Sequence, residues 1–143
     1  MQDATKNAPV IVKDLLRLGS ALHRNGDRIT GQYGLTQQQF VVLSEIIERG
    51  PINQKQLVGG LLIEKSNLSK IVKKLKTLGF IKISSSPEDG RTTLLNITAK
   101  GRKVWEKCMV DFNDWQFNWA KPLTKAEINE TIRVLERLKS LPL

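Results

Sequence analysis

The sequence is poor in the residues on which disulfides and many enzyme sites depend. Cys108 is its only cysteine, so no disulfide can form within the chain, which fits a reducing compartment. His23 is its only histidine, and the chain offers no partners for a histidine-based metal cluster or a Ser-His-Asp arrangement. Nowhere do about 18 apolar residues run together, and the N-terminus lacks the pattern of a secretion signal. We therefore expect a cytoplasmic protein with no membrane partner, no catalytic residues, no cofactor and no metal.

Positive charge, by contrast, is abundant and unevenly placed. The 143 residues carry a net charge of +9, and residues 53–104 hold eleven Lys or Arg against three Asp or Glu. The segments before and after them contribute +1 and 0. A protein that binds a polyanion has reason to concentrate its cations on one module, whereas charge that serves only solubility is spread along the chain. The middle third is therefore the predicted site of contact with nucleic acid, and a solvated lysine-rich face is the alternative interpretation.

Apolar spacing and helix-start signals predict six helices and one hairpin. Apolar residues spaced four, three, four and seven apart predict a first helix from about Pro9 to about Thr30. Capping residues and apolar spacing predict five further helices, which begin near Thr36, Asn53, Lys65, Thr98 and Thr124. Residues 80–84 and 92–98 read as short strands around the turn-forming SSPEDG. The fold class is thus mainly α with a small antiparallel β-hairpin wing, the plan of a winged helix-turn-helix.

The helix that begins near Lys65 has the residues expected of one that lies in the DNA major groove. Its apolar positions leave an opposite face that is polar, basic and free of acids. Short side chains near the helix start can reach base edges, and lysines suit phosphates. The helix has no arginine, the commonest reader of guanine, so specificity would depend partly on duplex shape. The predicted DNA contacts on this helix are Ser66, Asn67, Ser69, Lys70, Lys73 and Lys74.

The turn between the two strands interrupts the basic region with two acids around an arginine. Gly90 can bend the backbone there, and the Asp89 carboxylate can hold the Arg91 guanidinium in one direction. An arginine that is already held loses less side-chain entropy when it docks. Arg91 suits the narrow, strongly negative minor groove of A/T-rich DNA. Alone, the same three residues would be a plain turn with a surface ion pair.

Two runs of the sequence resemble the MarR family of bacterial transcriptional regulators. They are QLVGGLLIEKSNLSKIVKKLKTLGFI and SPEDGRTTLLNITAKG. The family carries Asp-x-Arg in its wing and Leu/Ile-Thr-x-x-Gly after the second wing strand, and here these motifs are Asp89-Gly90-Arg91 and Ile97-Thr98-x-x-Gly101. The resemblance implies that Arg91 enters the minor groove, that Asp89 orients it and that residues 66–74 lie in the major groove. It also implies dimer helices at both termini.

These observations predict one domain over residues 1–143. Its DNA-binding lobe would span residues 31–100, and its helical dimerisation region residues 9–30 and 101–143. The flanking helices carry longer apolar stripes than one small domain can cover, which favours a homodimer. We predict a sequence-specific DNA-binding transcriptional regulator, a repressor relieved by a small-molecule effector. The alternatives are a winged-helix protein-interaction module and a nonspecific DNA-binding protein.

The resemblance further implies a small aromatic or anionic effector in a cleft between the dimer helices and the DNA-binding lobe. His23, Arg24, Trp115 and Trp119 are the candidate lining residues, since they offer cationic or aromatic walls on the helices expected to frame it. Packing of the two tryptophans and a solvated Arg24 are the plainer interpretations. Cys108 lies on an apolar stripe, so a buried, unreactive thiol is predicted rather than a redox sensor.

Overall fold

The computed structural model describes residues 2–61 and 63–142, and their side chains from residue 6 onward except at residue 60. The elements are α1 (Gln2–Gly31), α2 (Gln37–Arg49), α3 (Gln54–Gly60), α4 (Lys65–Thr77), β1 (Ile81–Ser85), β2 (Thr93–Ile97), α5 (Ala99–Ala120) and α6 (Lys125–Lys139). Four helices, a hairpin and two further helices follow one another as the sequence predicts. The predicted fold class is therefore confirmed in its mainly helical content and its antiparallel hairpin.

Three helices begin with a reciprocal pair of hydrogen bonds between the capping residue and the residue three positions later. In α2, the Gln39 amide donates to Thr36 Oγ1 at 3.1 Å, and the Thr36 amide donates to Gln39 Oε1 at 3.0 Å. The boxes of α3 and α6 pair Asn53 with Gln56 and Thr124 with Glu127. The Thr124 amide and hydroxyl lower the pKa of the Glu127 carboxyl below its ordinary value, because hydrogen bonds to the carboxylate favour its charged form. The helix starts predicted near Thr36, Asn53 and Thr124 are confirmed.

Helix α1 is longer than the sequence predicts. It begins at Gln2 instead of near Pro9, and it ends at Gly31. Proline has no amide hydrogen and leaves the carbonyl four residues earlier without a helical partner, so it often marks a helix start. The Gln, Ala and Lys residues before Pro9 favour helix, and they continue it through the proline at the cost of that one bond.

One apolar core joins α2, α3, α4 and the two strands. Leu43 of α2, Leu57 of α3 and both Leu68 and Leu75 of α4 are fully buried in it. Each buried leucine contributes on the order of 2 kcal/mol by removing apolar surface from water. Helix α4 packs against both α2 and α3, so its orientation in this unit is fixed by the side chains of its buried face.

The hairpin is extended by a third short segment. Strands β1 and β2 pair antiparallel from Ile81 opposite Ile97 to Ser85 opposite Thr93. On the other edge of β2, Leu95 exchanges two backbone hydrogen bonds with Ile52, at 2.8 and 3.2 Å. The sequence analysis did not anticipate this bridge, which ties the base of the hairpin to the segment between α2 and α3.

The start of α5 is bound closely to the end of α4. Thr98 Oγ1 accepts the Gly101 amide at 3.0 Å and donates to the Gly79 carbonyl at 2.6 Å. The predicted cap at Thr98 is thereby confirmed. Gly101 is buried, and a Cβ placed on it would lie 2.1 Å from the Phe80 carbonyl oxygen. Only glycine allows this approach of the two backbones.

The chain divides into two compact units, one ending at Cys108 and one beginning at Met109, so that α5 takes part in both. In the second unit, Trp115 and Trp119 stack with ring centroids 6.3 Å apart. No residue of α6 is buried, so Ile128, Leu135 and Leu138 are partly or largely exposed, although their spacing predicts that they face inward. The predicted boundaries at residues 31–100 and 101–143 stay predictions. Within residues 2–61 and 63–142, no helix is long and apolar enough to cross a membrane.

Candidate nucleic-acid interface

Helix α4 presents the predicted polar face to solvent. Leu68, Ile71, Val72 and Leu75 are buried on one side. The opposite side exposes Ser66, Ser69, Lys70, Lys73 and Lys74, five of the six predicted DNA contacts on this helix. The sixth, Asn67, is partly buried. The amphipathic spacing read from the sequence therefore assigned the two faces of α4 correctly.

Two glutamines from the preceding helices hold polar side chains of α4. Asn67 Nδ2 donates to Gln38 Oε1 at 3.3 Å, and Gln54 Nε2 donates to Ser69 Oγ at 2.6 Å. Sequence reasoning missed both glutamines. The available signal was their position in the first turns of α2 and α3, the two helices that precede the polar helix.

The lysines of this region are not neutralised by neighbouring acids. Among the residues that the structure describes, the ion pairs are His23–Asp27, Arg49–Glu45, Arg133–Glu130 and Lys139–Glu136. All four lie outside residues 53–104, the segment that carries most of the net charge. The exposed cations of α4 thus remain available to a polyanion, and they would release its counterions on binding.

The tip of the hairpin is held by Asp89, but in a different way from the one predicted. Its carboxylate accepts the backbone amide of Arg91 at 3.0 Å and the hydroxyl of Thr92 at 3.1 Å. Within the described ranges, no ion pair joins Asp89 to the Arg91 guanidinium, so the expected direct grip on that group is wrong. The reason is local: an Asx turn places the carboxylate over the amide two residues on. Asp89 fixes the backbone from which the exposed Arg91 side chain extends.

Gly90 is not required by the geometry of this turn. Its φ lies outside the left-handed region, and a Cβ added to it would meet no atom within 4 Å. The hairpin tip is closed instead by the Ser86 amide, which donates to the Thr92 carbonyl at 2.8 Å. Thr92 is therefore a supporting residue of the wing that sequence reasoning missed.

The residues proposed for an effector site fall into two groups. His23 lies on a cavity of about 400 Å³ whose lining also includes Leu22, Gln37, Val41 and Ile63. Its Nε2 is 3.2 Å from an Asp27 carboxylate oxygen. Arg24 is exposed and is not among the described lining residues. Trp115 and Trp119 belong to the second unit, where they stack on each other.

Cys108 is fully buried, as predicted. A buried cysteine packs as a small apolar side chain. This position supports the packing role over the redox role.

Known proteins with similar sequences and structures come from one family. A sequence profile described as the MarR family matches residues 33–92, from the end of α1 to the wing tip. The transcriptional activatory protein BadR of Rhodopseudomonas palustris is 29% identical over 96 residues, which are 64% of this chain and 54% of BadR. A MarR family transcriptional regulator from Listeria monocytogenes, solved in complex with a 26mer DNA, is 26% identical and superposes with a TM-score of 0.81, covering 90% of this chain and 85% of that one.

Residues 33–92 match the MarR family, and the chain is similar to MarR-family regulators beyond that segment. MarR of Staphylococcus aureus, solved with salicylate and kanamycin, superposes with a TM-score of 0.83 over 92% of this chain and 89% of that one, and at 20% identity it shows the common fold alone. The relatives are transcriptional regulators and not enzymes, which agrees with the prediction that this chain is not an enzyme. The chain spans about half the length of BadR.

Proposed function

We propose that this MarR-like protein is a homodimeric, sequence-specific DNA-binding repressor that acts in the cytoplasm and is relieved by a small-molecule effector. The observation that carries the proposal is the exposed face of α4, whose lysines have no acidic partner among the described residues. A face of this kind, next to a hairpin that exposes an arginine, fits duplex DNA in its grooves and along its phosphates.

The residues of α4 and of the wing are assigned three kinds of DNA contact according to their chemistry. Lys70, Lys73 and Lys74 bind backbone phosphates, which position the protein without reading sequence. Ser66, Asn67 and Ser69 face base edges in the major groove. Arg91 enters the minor groove, where A/T-rich sequence concentrates negative potential.

A second copy of the chain is proposed because apolar residues are exposed on helices of both units. On α1, Ile11, Leu15 and Leu18 are each about half exposed, although they form the predicted stripe. On α5, Phe117 is 66% exposed. A monomer in water rarely leaves so many large apolar side chains uncovered along helices, and a symmetric dimer buries them.

The cavity that contains His23 is the proposed effector site. Leu22, Val41 and Ile63 give it apolar walls, and Gln37 also lines it. The amide side chain of Gln37 in this lining suits a ligand with a hydrogen-bonding group. A small aromatic ligand with a polar group fits this lining, as salicylate is bound by the S. aureus MarR. The proposed effect is repression, while the relative BadR is named an activatory protein.

Removing the wing arginine tests the proposal. The Arg91→Ala variant should bind a specific duplex about 1 to 3 kcal/mol more weakly, because the alanine side chain is too short to enter the minor groove. The substitution is at an exposed position and should leave the stability of the fold unchanged. Duplex affinity measured by fluorescence anisotropy at fixed salt gives the answer.

Gly90→Ala is the matched control for this experiment. It lies in the same turn, its added methyl group meets no atom within 4 Å, and its affinity should equal that of the unchanged protein. Equal affinity of the Arg91→Ala variant and the control would contradict the assigned role of Arg91. It would favour the alternative of a winged-helix module that binds other proteins.

A further inference from the structure

We propose that Gln38 and Gln54 are positioning residues that fix what Asn67 and Ser69 can read, so that each half-site carries an adenine opposite Asn67 and an exocyclic amino group opposite Ser69. The inference rests on the proposed function, in which α4 lies in the major groove. It adds the base preference that neither the sequence nor the family comparison supplies.

The hydrogen bond to Gln38 leaves Asn67 with the pattern that matches adenine. One hydrogen of the Asn67 amide is donated to Gln38 Oε1 at 3.3 Å. The second N–H of the Asn67 amide and its carbonyl oxygen Oδ1 remain available to a base. Adenine offers an acceptor at N7 and a donor at N6, and asparagine pairs with both at once. The match to adenine also holds if the side-chain amides of Asn67 and Gln38 are both turned over, so that Gln38 Nε2 donates to Asn67 Oδ1. Asn67 would then keep one lone pair of Oδ1 and both N–H groups for the base.

The hydrogen bonds of Ser69 remove its ability to donate. Its hydroxyl gives its hydrogen to the Lys65 carbonyl at 3.1 Å and accepts from Gln54 Nε2 at 2.6 Å. One lone pair remains, so Ser69 can only accept. It therefore suits the amino group of cytosine N4 or adenine N6, and it cannot bind guanine O6 or thymine O4 in the major groove.

The two glutamines can act as fixed supports because the helices that carry them are held at their starts. Gln38 lies in the first turn of α2, where Asp27 Oδ1 accepts the Gln37 amide at 2.8 Å beside the capping box of Thr36. Gln54 is the first residue of α3, which begins with the capping box of Asn53. A side chain on a fixed backbone loses less entropy when it orients its neighbour, which makes the readout of α4 more selective.

Selection of bound duplexes from a random pool tests the inference. The unchanged protein should enrich one motif with adenine at a fixed position in each half-site. Asn67→Ala should lower the preference for adenine at that position by about 5- to 100-fold, which is the discrimination expected of one bidentate pair. Gln38→Ala should lower it at the same position and leave the other positions unchanged.

Three further variants separate positioning from charge and from folding. Gln38→Glu keeps an acceptor for the Asn67 N–H, so the adenine preference should persist while overall affinity falls through the added negative charge. Gln54→Ala removes the N–H that holds the Ser69 hydroxyl, so the hydroxyl can rotate from the Lys65 carbonyl toward a base and donate to guanine O6 or thymine O4. The preference should change only at the position that Ser69 faces. Gln32→Ala, in the exposed turn after α1, is the control and should keep the full motif. The thermal midpoint of each variant should match that of the unchanged protein.

Different outcomes would contradict the positioning roles of the glutamines and the proposed DNA-binding function. A motif that Gln38→Ala leaves unchanged, or that it weakens evenly at every position, overturns the positioning role of Gln38 and leaves DNA binding standing. A pool from which the unchanged protein enriches no motif overturns the proposed function itself.

Discussion

Raising the salt concentration from about 50 to about 200 mM should weaken binding to a specific duplex by about 10⁴-fold. Lys70, Lys73, Lys74 and Arg91 give about eight cations in a dimer, and each phosphate they neutralise adds about −0.9 to the slope of log affinity against log salt. The slope should therefore be about −7. The effect is large because, among the described residues, these cations have no acidic partners that would already screen them. A titration of anisotropy against salt measures it.

Lysine variants show whether the slope comes from α4. Lys70→Ala and Lys73→Ala should each make the slope shallower by about 0.9 for every phosphate that the variant no longer neutralises. Lys139→Ala is the matched control, since Lys139 lies in α6 and pairs with Glu136. An affinity that hardly changes with salt, or a control that changes the slope as much as Lys70→Ala does, would count against the assigned face.

Replacing Gly101 by alanine should destabilise the fold by about 3 kcal/mol, at the upper end of the range for overpacking a tight contact. The new Cβ would lie 2.1 Å from the Phe80 carbonyl oxygen. That oxygen cannot move freely, because it accepts the Thr98 amide at 3.0 Å and the Phe80 side chain is buried in the core. Urea unfolding followed by circular dichroism gives the free energy of unfolding.

Gly59→Ala is the control for this measurement. Gly59 lies in α3, an added Cβ there meets no atom within 4 Å, and alanine favours helix over glycine. Its free energy of unfolding should equal or exceed that of the unchanged protein. If Gly101→Ala were as stable as Gly59→Ala, the close approach of α5 to Phe80 would not be the reason for glycine at position 101.

The features that sequence reasoning predicts correctly are those with short-range causes. A capping box joins residues three positions apart, as at Thr36 and Gln39, so its pattern is visible in the sequence. The two faces of α4 follow from the three-four spacing of its apolar residues. The predicted start of α1 at Pro9 is wrong because a helix can continue through a proline at the cost of one hydrogen bond.

The features that sequence reasoning misses depend on residues distant in the sequence. Gln38 and Asn67 are 29 positions apart, and Gln54 and Ser69 are 15 apart, so no periodic pattern pairs them. The bridge from Ile52 to the second wing strand is likewise a consequence of tertiary packing. The hydrogen-bond partners of the polar side chains of α4 depend on how α2, α3 and α4 pack together. The apolar spacing within each helix does not specify that packing.

The glycines of the two family motifs differ in whether the structure requires them. In the motif that ends at Gly101, the glycine is required by the Phe80 backbone that touches it. In the wing motif, Gly90 has open space around it, and the turn depends on the hydrogen bonds of Asp89 with the Arg91 amide and the Thr92 hydroxyl. A motif glycine is therefore informative only when the backbone geometry around it is known.

Hydroxyl-radical footprinting on a duplex enriched from the random pool tests the central claim most directly. If two copies of α4 and of the wing tip straddle the DNA, the protected sites on the two strands are related by a two-fold axis, with half-site centres about 10 base pairs apart. Protected minor-groove positions should flank them, and these should disappear in the Arg91→Ala variant. A single protected stretch without two-fold symmetry, or even protection along the whole duplex, would contradict the account.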